Sequence, residues 1–202
     1  MWHQLADPAD PADFARVVHV ARLAEPRAGD VRVIAIDGPS GSGKTSLANA
    51  VSRALDAPTA HMDQIFPGWD GLAAAVELVT TQVLEPLARG QQAAYRTWDW
   101  ARDQWNGTIT LPRSPFLVLE GCGSSVGCAG QYAAVRVWVD AEPAIRKARG
   151  LARDGETFAP HWQRWAAQEK ALYAADGTAA KADLVIDTTP TDGASGHRSG
   201  SS

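Results

Sequence analysis

The chain has 202 residues, 45% hydrophobic and 21% charged, with a formal net charge of -4 and a pI near 5.7. That balance fits one folded domain with room for a sheet and several helices, and excludes wholesale disorder or a fibrous repeat. The acidic charge disfavours a nucleic-acid partner, which would need many Lys and Arg contacts to phosphate, and no apolar run approaches the roughly 20 residues of a bilayer span.

The start, Met1-Trp2-His3-Gln4, lacks the basic and apolar regions of a secretion signal, so a cytoplasmic location without membrane contact is expected. A Pro/Asp-rich stretch then leads into Phe14, Val17, Val18 and Ala21, whose spacing predicts a helix within an N-terminal extension over 1–30. After Pro26 and Gly29, the β-branched run Val31-Arg32-Val33-Ile34-Ala35-Ile36 reads as the first buried parallel strand. Helix and strand signals follow in alternation: helix over 42–55, strand over 59–62, helix over 71–89 and strand over 93–97. Strands over 116–119 and 135–139 come next, then helices over 142–153 and 160–175, and a last strand over 184–186. This order predicts a three-layer α/β/α domain over 31–189 with a mostly parallel five-stranded sheet. The small, polar run from Pro190 onward predicts a disordered tail over 190–202. Cys122 and Cys128 have no second cysteine pair or nearby histidine to complete a zinc site, and are read as reduced thiols. The tryptophans gather as Trp98, Trp100 and Trp105 in one segment and Trp162 and Trp165 in another, which reads as core packing or as a ring-binding surface.

Between the first strand and the first domain helix stands Gly38-Pro39-Ser40-Gly41-Ser42-Gly43-Lys44-Thr45, which fits G-x-x-x-x-G-K-[ST] at every fixed position. Its glycines let successive N–H groups curl around phosphate oxygens, and the helix that follows adds the positive end of its dipole. Gly38, Ser40, Gly41, Ser42, Gly43, Lys44, Thr45 and Ser46 are therefore the expected nucleotide-binding residues. Lys44 would act on the β- and γ-phosphates of ATP, and the Thr45 hydroxyl on Mg²⁺. The fold class this implies is that of a P-loop NTPase. Asp37, at the end of the strand, either joins the metal shell or caps nearby N–H groups; capping is the simpler role.

Beyond the second strand, His61-Met62-Asp63-Gln64-Ile65-Phe66 carries a carboxylate to the end at which open parallel sheets bind ligands. An acid at that place could accept the proton of an acceptor hydroxyl, or Asp63 could be a turn residue. Asp63-Gln64-Ile65-Phe66 resembles the D-x-F-Y segment of the uridine kinase family of P-loop kinases, with the aromatic displaced by one residue. The loop from Ala35 to Lys44 also resembles cytidylate kinase, whose D-T-G-x-x-Y-R segment is missing here.

The uridine kinase resemblance covers roughly residues 31 to 188 in the order of elements, and implies several further roles. Asp63 would be the acceptor-side catalytic carboxylate. Tyr95-Arg96-Thr97-Trp98-Asp99-Trp100 stands where that family has a substrate-contacting loop, so Arg96, Trp98 and Asp99 are expected at the substrate, although Arg96 and Asp99 could equally pair at the surface. Leu117-Val118-Leu119-Glu120-Gly121 resembles the family's E-G strand end, which makes Glu120 a second metal-shell residue, or a cap for the next turn. Arg149 and Arg153 stand where the family carries an R-x-x-R-D lid, here around 146–165, with the spacing one residue wider and the usual E-R-G-R continuation absent. Both would then reach the transferring phosphoryl group, unless they form a solvated basic face.

The expectation is an ATP- and Mg²⁺-dependent phosphotransferase acting on a hydroxyl of a small molecule such as a nucleoside. Its competitors are an NTP-binding switch without an acceptor, and a nucleoside monophosphate kinase drawing on Arg96, Arg102 and Arg113.

Overall fold

The computed structural model of the chain describes residues 9–190, apart from the side chains of Asp154 and Glu156. The tail expected from 190 onward thus lies almost wholly outside the described residues. Five strands form one parallel sheet in the order β2-β5-β1-β6-β7. They are β1 (Arg32–Asp37), β2 (Thr59–His61), β5 (Phe116–Glu120), β6 (Ala133–Asp140) and β7 (Leu184–Asp187), and each neighbouring pair runs parallel.

Both faces of the sheet are covered, which is why its strands read as continuous apolar runs rather than alternating ones. Val33, Leu117 and Leu119 point into one core with residues of α3 (Leu72–Val79), α5 (Gly127–Tyr132) and α7 (Trp162–Asp176). Ile34, Ile36, Val118, Val135, Val137 and Val139 point into the other, against α1 (Pro11–Leu23) and α2 (Lys44–Leu55). On α2, Leu47, Ala48, Val51 and Leu55 make the buried stripe expected of an amphipathic helix. Helix α1 begins on the cap Asp10, whose Oδ1 accepts from Ala12 N at 2.7 Å. Its buried Val17, Val18 and Ala21 belong to the second core, so the leading helix is packed into the domain.

Two elements depart from the sequence reading. The helix expected over 71–89 is α3 followed by a π-helical turn at Thr80–Leu84 and a short α4 (Glu85–Ala88). Pro86 in that last turn has no N–H to continue the ladder, and the widened turn lies directly before it. The strand expected over 93–97 is not in the parallel sheet. It is β3 (Ala94–Asp99), paired antiparallel with an unanticipated β4 (Gln104–Thr110) in a separate hairpin. Five of the seven β4 positions are exposed, so it lacks the apolar alternation that marks a strand.

At the end of β1, Asp37 is fully buried and organises three segments. Its Oδ1 accepts from the N–H groups of Gly38 at 2.7 Å and Gly123 at 2.9 Å, and its Oδ2 accepts from Ser125 N at 2.7 Å and Ser125 Oγ at 2.9 Å. The Tyr173 hydroxyl of α7 lies 2.8 Å from Oδ1 and 2.9 Å from Gly38 O, so its proton is shared between them. Burial pushes the Asp37 carboxyl up, while the donors from Ser125, Tyr173 and Gly38 pull the other way. Asp37→Ala would leave the Gly38 and Ser125 donors buried without an acceptor, each such loss costing about 1–3 kcal/mol. Urea unfolding of that variant should show a stability loss of at least about 3 kcal/mol.

Candidate functional site

The glycine-rich loop lies where β1 gives way to α2. Gly38, Gly41 and Gly43 take φ of 141°, 78° and 90°, backbone conformations that favour glycine. A side-chain carbon at Gly41 would also lie 2.1 Å from the Arg146 carbonyl oxygen of α6 (Pro143–Phe158), and one at Gly38 would lie 2.0 Å from that of Val139. Lys44 opens α2 and is buried, its Nζ donating to Pro39 O at 3.0 Å and lying 3.7 Å from Cys122 Sγ. Ser42 is fully buried, while Ser40, Gly41, Thr45 and Ser46 are half-buried. The curled loop at a helix N-terminus is built to receive an anion.

Parallel register brings the next groups to the same end of the sheet. Glu120 ends β5, level with Ile36 on one side and His61 on the other. Thr45 Oγ1 donates to Glu120 Oε1 at 3.1 Å, and His61 Nδ1 is 2.9 Å from Glu120 Oε2. Burial alone would raise the pKa of Glu120, but the His61 hydrogen bond, the Lys44 charge and the Thr45 hydrogen bond together hold it below the usual range. Desolvation works against the His61 cation, yet Glu120 and Asp63 outweigh it and raise that pKa. A hydroxyl and a buried carboxylate meeting beside a phosphate loop are hard oxygen donors of the kind Mg²⁺ takes, with phosphate and water filling the remaining positions. Among the described residues no group of three or more His, Cys, Asp or Glu is placed to hold a metal ion.

Asp63 lies in the 3-10 turn Met62–Gln64 directly after β2. It is exposed at the mouth of the site, with protein crowded behind it. That desolvation and the Glu120 charge raise its pKa, while His61 and Arg153 oppose the rise. The hairpin fixes this turn from outside: Trp100 Nε1 donates to Asp63 O, and Tyr95 OH to Gln64 Oε1, each at 2.8 Å.

The rest of the tryptophan segment is engaged differently from the expectation. Arg96 is exposed and lies over Trp105, with 4.6 Å to the ring centroid. Asp99 caps the hairpin turn, accepting from Ala101 N, Arg102 N and Asn106 Nδ2, and pairs with Arg102 at 3.4 Å. Arg96 and Asp99 thus do not pair with each other, because each has a nearer partner within the hairpin. Trp98 packs edge-on against Trp105 and lines a cleft of about 280 Å³ together with Trp69, Asp70, Asp103 and Arg164. A cleft of about 410 Å³ at the opposite end of the sheet, lined by Pro58, Arg113 and Phe116 among others, lies away from all of these groups.

Arg149 and Arg153 lie one turn apart on α6 but serve different places. Both guanidinium ends of Arg149 donate to Thr188, to Oγ1 and to O, each at 2.9 Å. Thr188 Oγ1 in turn donates to Ser42 O at 2.8 Å. Arg149 therefore braces the chain after β7 against the glycine-rich loop. Arg153 is exposed and near enough to Asp63 to act on its ionisation. Beyond it, Gly155 breaks the helix with φ 57°.

Two groups escaped the sequence reading. His61 meets Glu120 only through the pairing register of β2 and β5, which leaves no local signal. Glu169 on α7 is buried against the phosphate loop, and its one signal is a carboxylate spaced four residues from both Trp165 and Tyr173.

A parallel sheet with this strand order, both faces covered and a glycine-rich loop after its central strand, is the P-loop NTPase fold. No protein-family model matches the sequence, and no curated protein does. Among solved structures, the chain is similar to a possible uridine kinase from Bacillus stearothermophilus at 24% identity and a TM-score of 0.59, covering 86% of this chain and 98% of that one. It is also similar to a candidate fructose transport system kinase from Silicibacter sp. TM1040 at 20% identity and a TM-score of 0.52, covering 85% of this chain and 98% of that one. No helix among the described residues is long and apolar enough to cross a membrane.

The tether on the Asp63 turn can be tested without a substrate. Trp100→Phe keeps a ring against Trp69 but removes the donor to Asp63 O, so stability should fall by about 1 kcal/mol. The amides of Ile65 and Phe66, which close the turn on Met62 O, should exchange faster with deuterium in the variant.

Proposed function

We propose that the chain is a phosphotransferase that moves the γ-phosphoryl group of ATP, with Mg²⁺, to a hydroxyl of a small molecule, in the manner of uridine kinase-like enzymes. The observation that carries this reading is the convergence of Thr45, Glu120 and Asp63 at one end of the sheet, beside the phosphate loop. A nucleotide-binding switch would need the loop and Thr45 but no ionisable carboxylate at the acceptor side.

In this reading the N–H groups of the loop and Lys44 bind the phosphates, and Thr45 and Glu120 hold the ion, which when bound neutralises charge on the transferring group. Asp63 accepts the proton of the acceptor hydroxyl as its oxygen bonds to phosphorus and the bond to the leaving ADP breaks. Burial behind it raises its pKa, which makes it a stronger proton acceptor than an ordinary carboxylate. Arg153, near Asp63, adds positive charge where the phosphoryl group passes. The clefted hairpin supplies aromatic surface for the acceptor through Trp98.

The arginines that a nucleoside monophosphate would require are otherwise engaged: Arg96 with Trp105, Arg102 with Asp99, and Arg113 with the Gly90 carbonyl beside the remote cleft. This favours an acceptor without a phosphate of its own.

A coupled ADP-release assay across nucleosides and small sugars tests the proposal. Lys44→Ala should fold normally and lose turnover altogether, because its charge acts on phosphate; full activity in the folded variant would refute the phosphate-loop role. Asp63→Asn keeps size and hydrogen bonding but cannot take a proton, so transfer at saturating substrates should fall by roughly 10²-fold or more while nucleotide affinity changes little. A strong loss of nucleotide affinity with the rate intact would move Asp63 to the metal site instead.

A further inference from the structure

Helix α7 lays one face along the phosphate loop. Trp165, Glu169 and Tyr173 stand at successive turns of that face, and all three contribute hydrogen bonds around the beginning of the loop. The Glu169 carboxylate is 3% exposed, and one of its oxygens gathers a set of donors from three separate segments. Its Oε1 accepts from Ser40 N at 2.8 Å, Ser40 Oγ at 2.7 Å, Trp165 Nε1 at 2.8 Å and Cys122 Sγ at 3.2 Å. Cys122 Sγ also lies 3.7 Å from Lys44 Nζ.

This arrangement is unlike a passive helix contact. A phosphate loop works by turning its N–H groups toward the anion, yet the Ser40 N–H is turned away from that task and held by a protein carboxylate. Hydrogen bonds to an ionised acceptor are the strong ones, and inside the protein they fix geometry more firmly than bonds to water. The position of Ser40, and with it the curl of Gly41 to Gly43, is therefore set from α7, 129 residues away in sequence. Trp165 carries the same link outward. Its ring packs edge-on against Phe66 at 4.8 Å and Trp69 at 6.2 Å, in the segment that follows Asp63.

We propose that Glu169 is a positioning residue of the nucleotide site: it holds Ser40 in the shape that receives phosphate, and ties that shape through Trp165 to the loop on the acceptor side. The proposal rests on the nucleotide reading given above, and adds to it a residue outside the motif on which the motif's geometry depends.

The test is calorimetric titration of Mg-ADP into the full chain, wild type and Glu169→Gln, with the exposed neighbour Lys170→Ala as a control on the same helix. The Gln side chain keeps the shape but offers a neutral oxygen to donors that now meet a charge. Glu169→Gln should bind Mg-ADP about 10-fold more weakly or worse, with Lys170→Ala unchanged. A residue that only staples α7 would lower the melting temperature and leave the affinity of the folded protein intact, and that result would overturn the proposal. Hydrogen exchange on the wild-type chain provides an arm that does not depend on the variant folding. The Ser40 amide should already be protected in the free protein and change little with Mg-ADP; an amide that is open in the free protein and protected only by the nucleotide would be a phosphate ligand, and would overturn the role of Glu169. Failure of the wild type itself to bind Mg-ADP would instead refute the nucleotide reading and this proposal with it, whereas binding with equal affinity in Glu169→Gln refutes this proposal alone.

Discussion

The buried carboxylate of Asp37 is the constraint on which the site depends. A charge removed from water is tolerated only where donors replace the solvent, and here they come from Gly38, Gly123 and Ser125, with the Tyr173 hydroxyl beside them. Satisfying that one group joins the end of β1, the start of the phosphate loop, the turn after β5 and helix α7. Because the turn after β5 begins directly beyond Glu120, anchoring it also fixes the acid that meets Thr45. The energetic demand of one buried side chain thus becomes the geometry of a site.

Electrostatics then explains the pairing at the carboxyl ends of the strands. Asp37, Glu120, Asp63 and Glu169 gather four acids around the glycine-rich loop, and their mutual repulsion is offset by the donors and cations that meet them. Asp37 and Glu169 are saturated by hydrogen bonds from the loop and α7. Glu120 is held ionised by His61, Lys44 and Thr45 despite burial, which suits a group that shares a cation. Asp63 alone of the four reaches solvent with its pKa raised, so the acids differ in exposure and ionisation according to their surroundings.

Packing of the helical arm completes the enclosure. Trp69 stacks on Phe158 at 5.4 Å and on His161 at 4.3 Å, Gln168 Nε2 donates to Trp69 O at 2.8 Å, and Arg164 pairs with Asp70. The segment after Asp63 is therefore held by α7 and its approach on one side, and by the hairpin through Trp69 and Trp100 at 4.7 Å on the other. Trp69, Trp100 and Trp165 thus set where the segment after Asp63 lies, and Trp69 and Trp98 both line the cleft beside it.

The sequence by itself determined the parallel sheet and the phosphate loop, because both are written in local terms: β-branched runs buried on two faces, and glycines at positions where only positive φ and close backbone approach are allowed. It also marked Asp63 and Glu120, since one follows and the other ends a strand at the carboxyl edge of the sheet. It did not determine the partners of those residues. His61 beside Glu120 follows from the pairing of strands 59 residues apart, and the separation of Arg149 from Arg153 follows from Thr188 reaching one of them. The hairpin was lost to local reading because its second strand is mostly exposed and carries no periodic signal. Glu169 was lost because nothing in its neighbourhood shows that a loop 129 residues earlier brings it two donors. Local propensity and motif spacing act over a few residues, whereas the contacts that assign a task to each charge are made between segments that only the folded chain brings together.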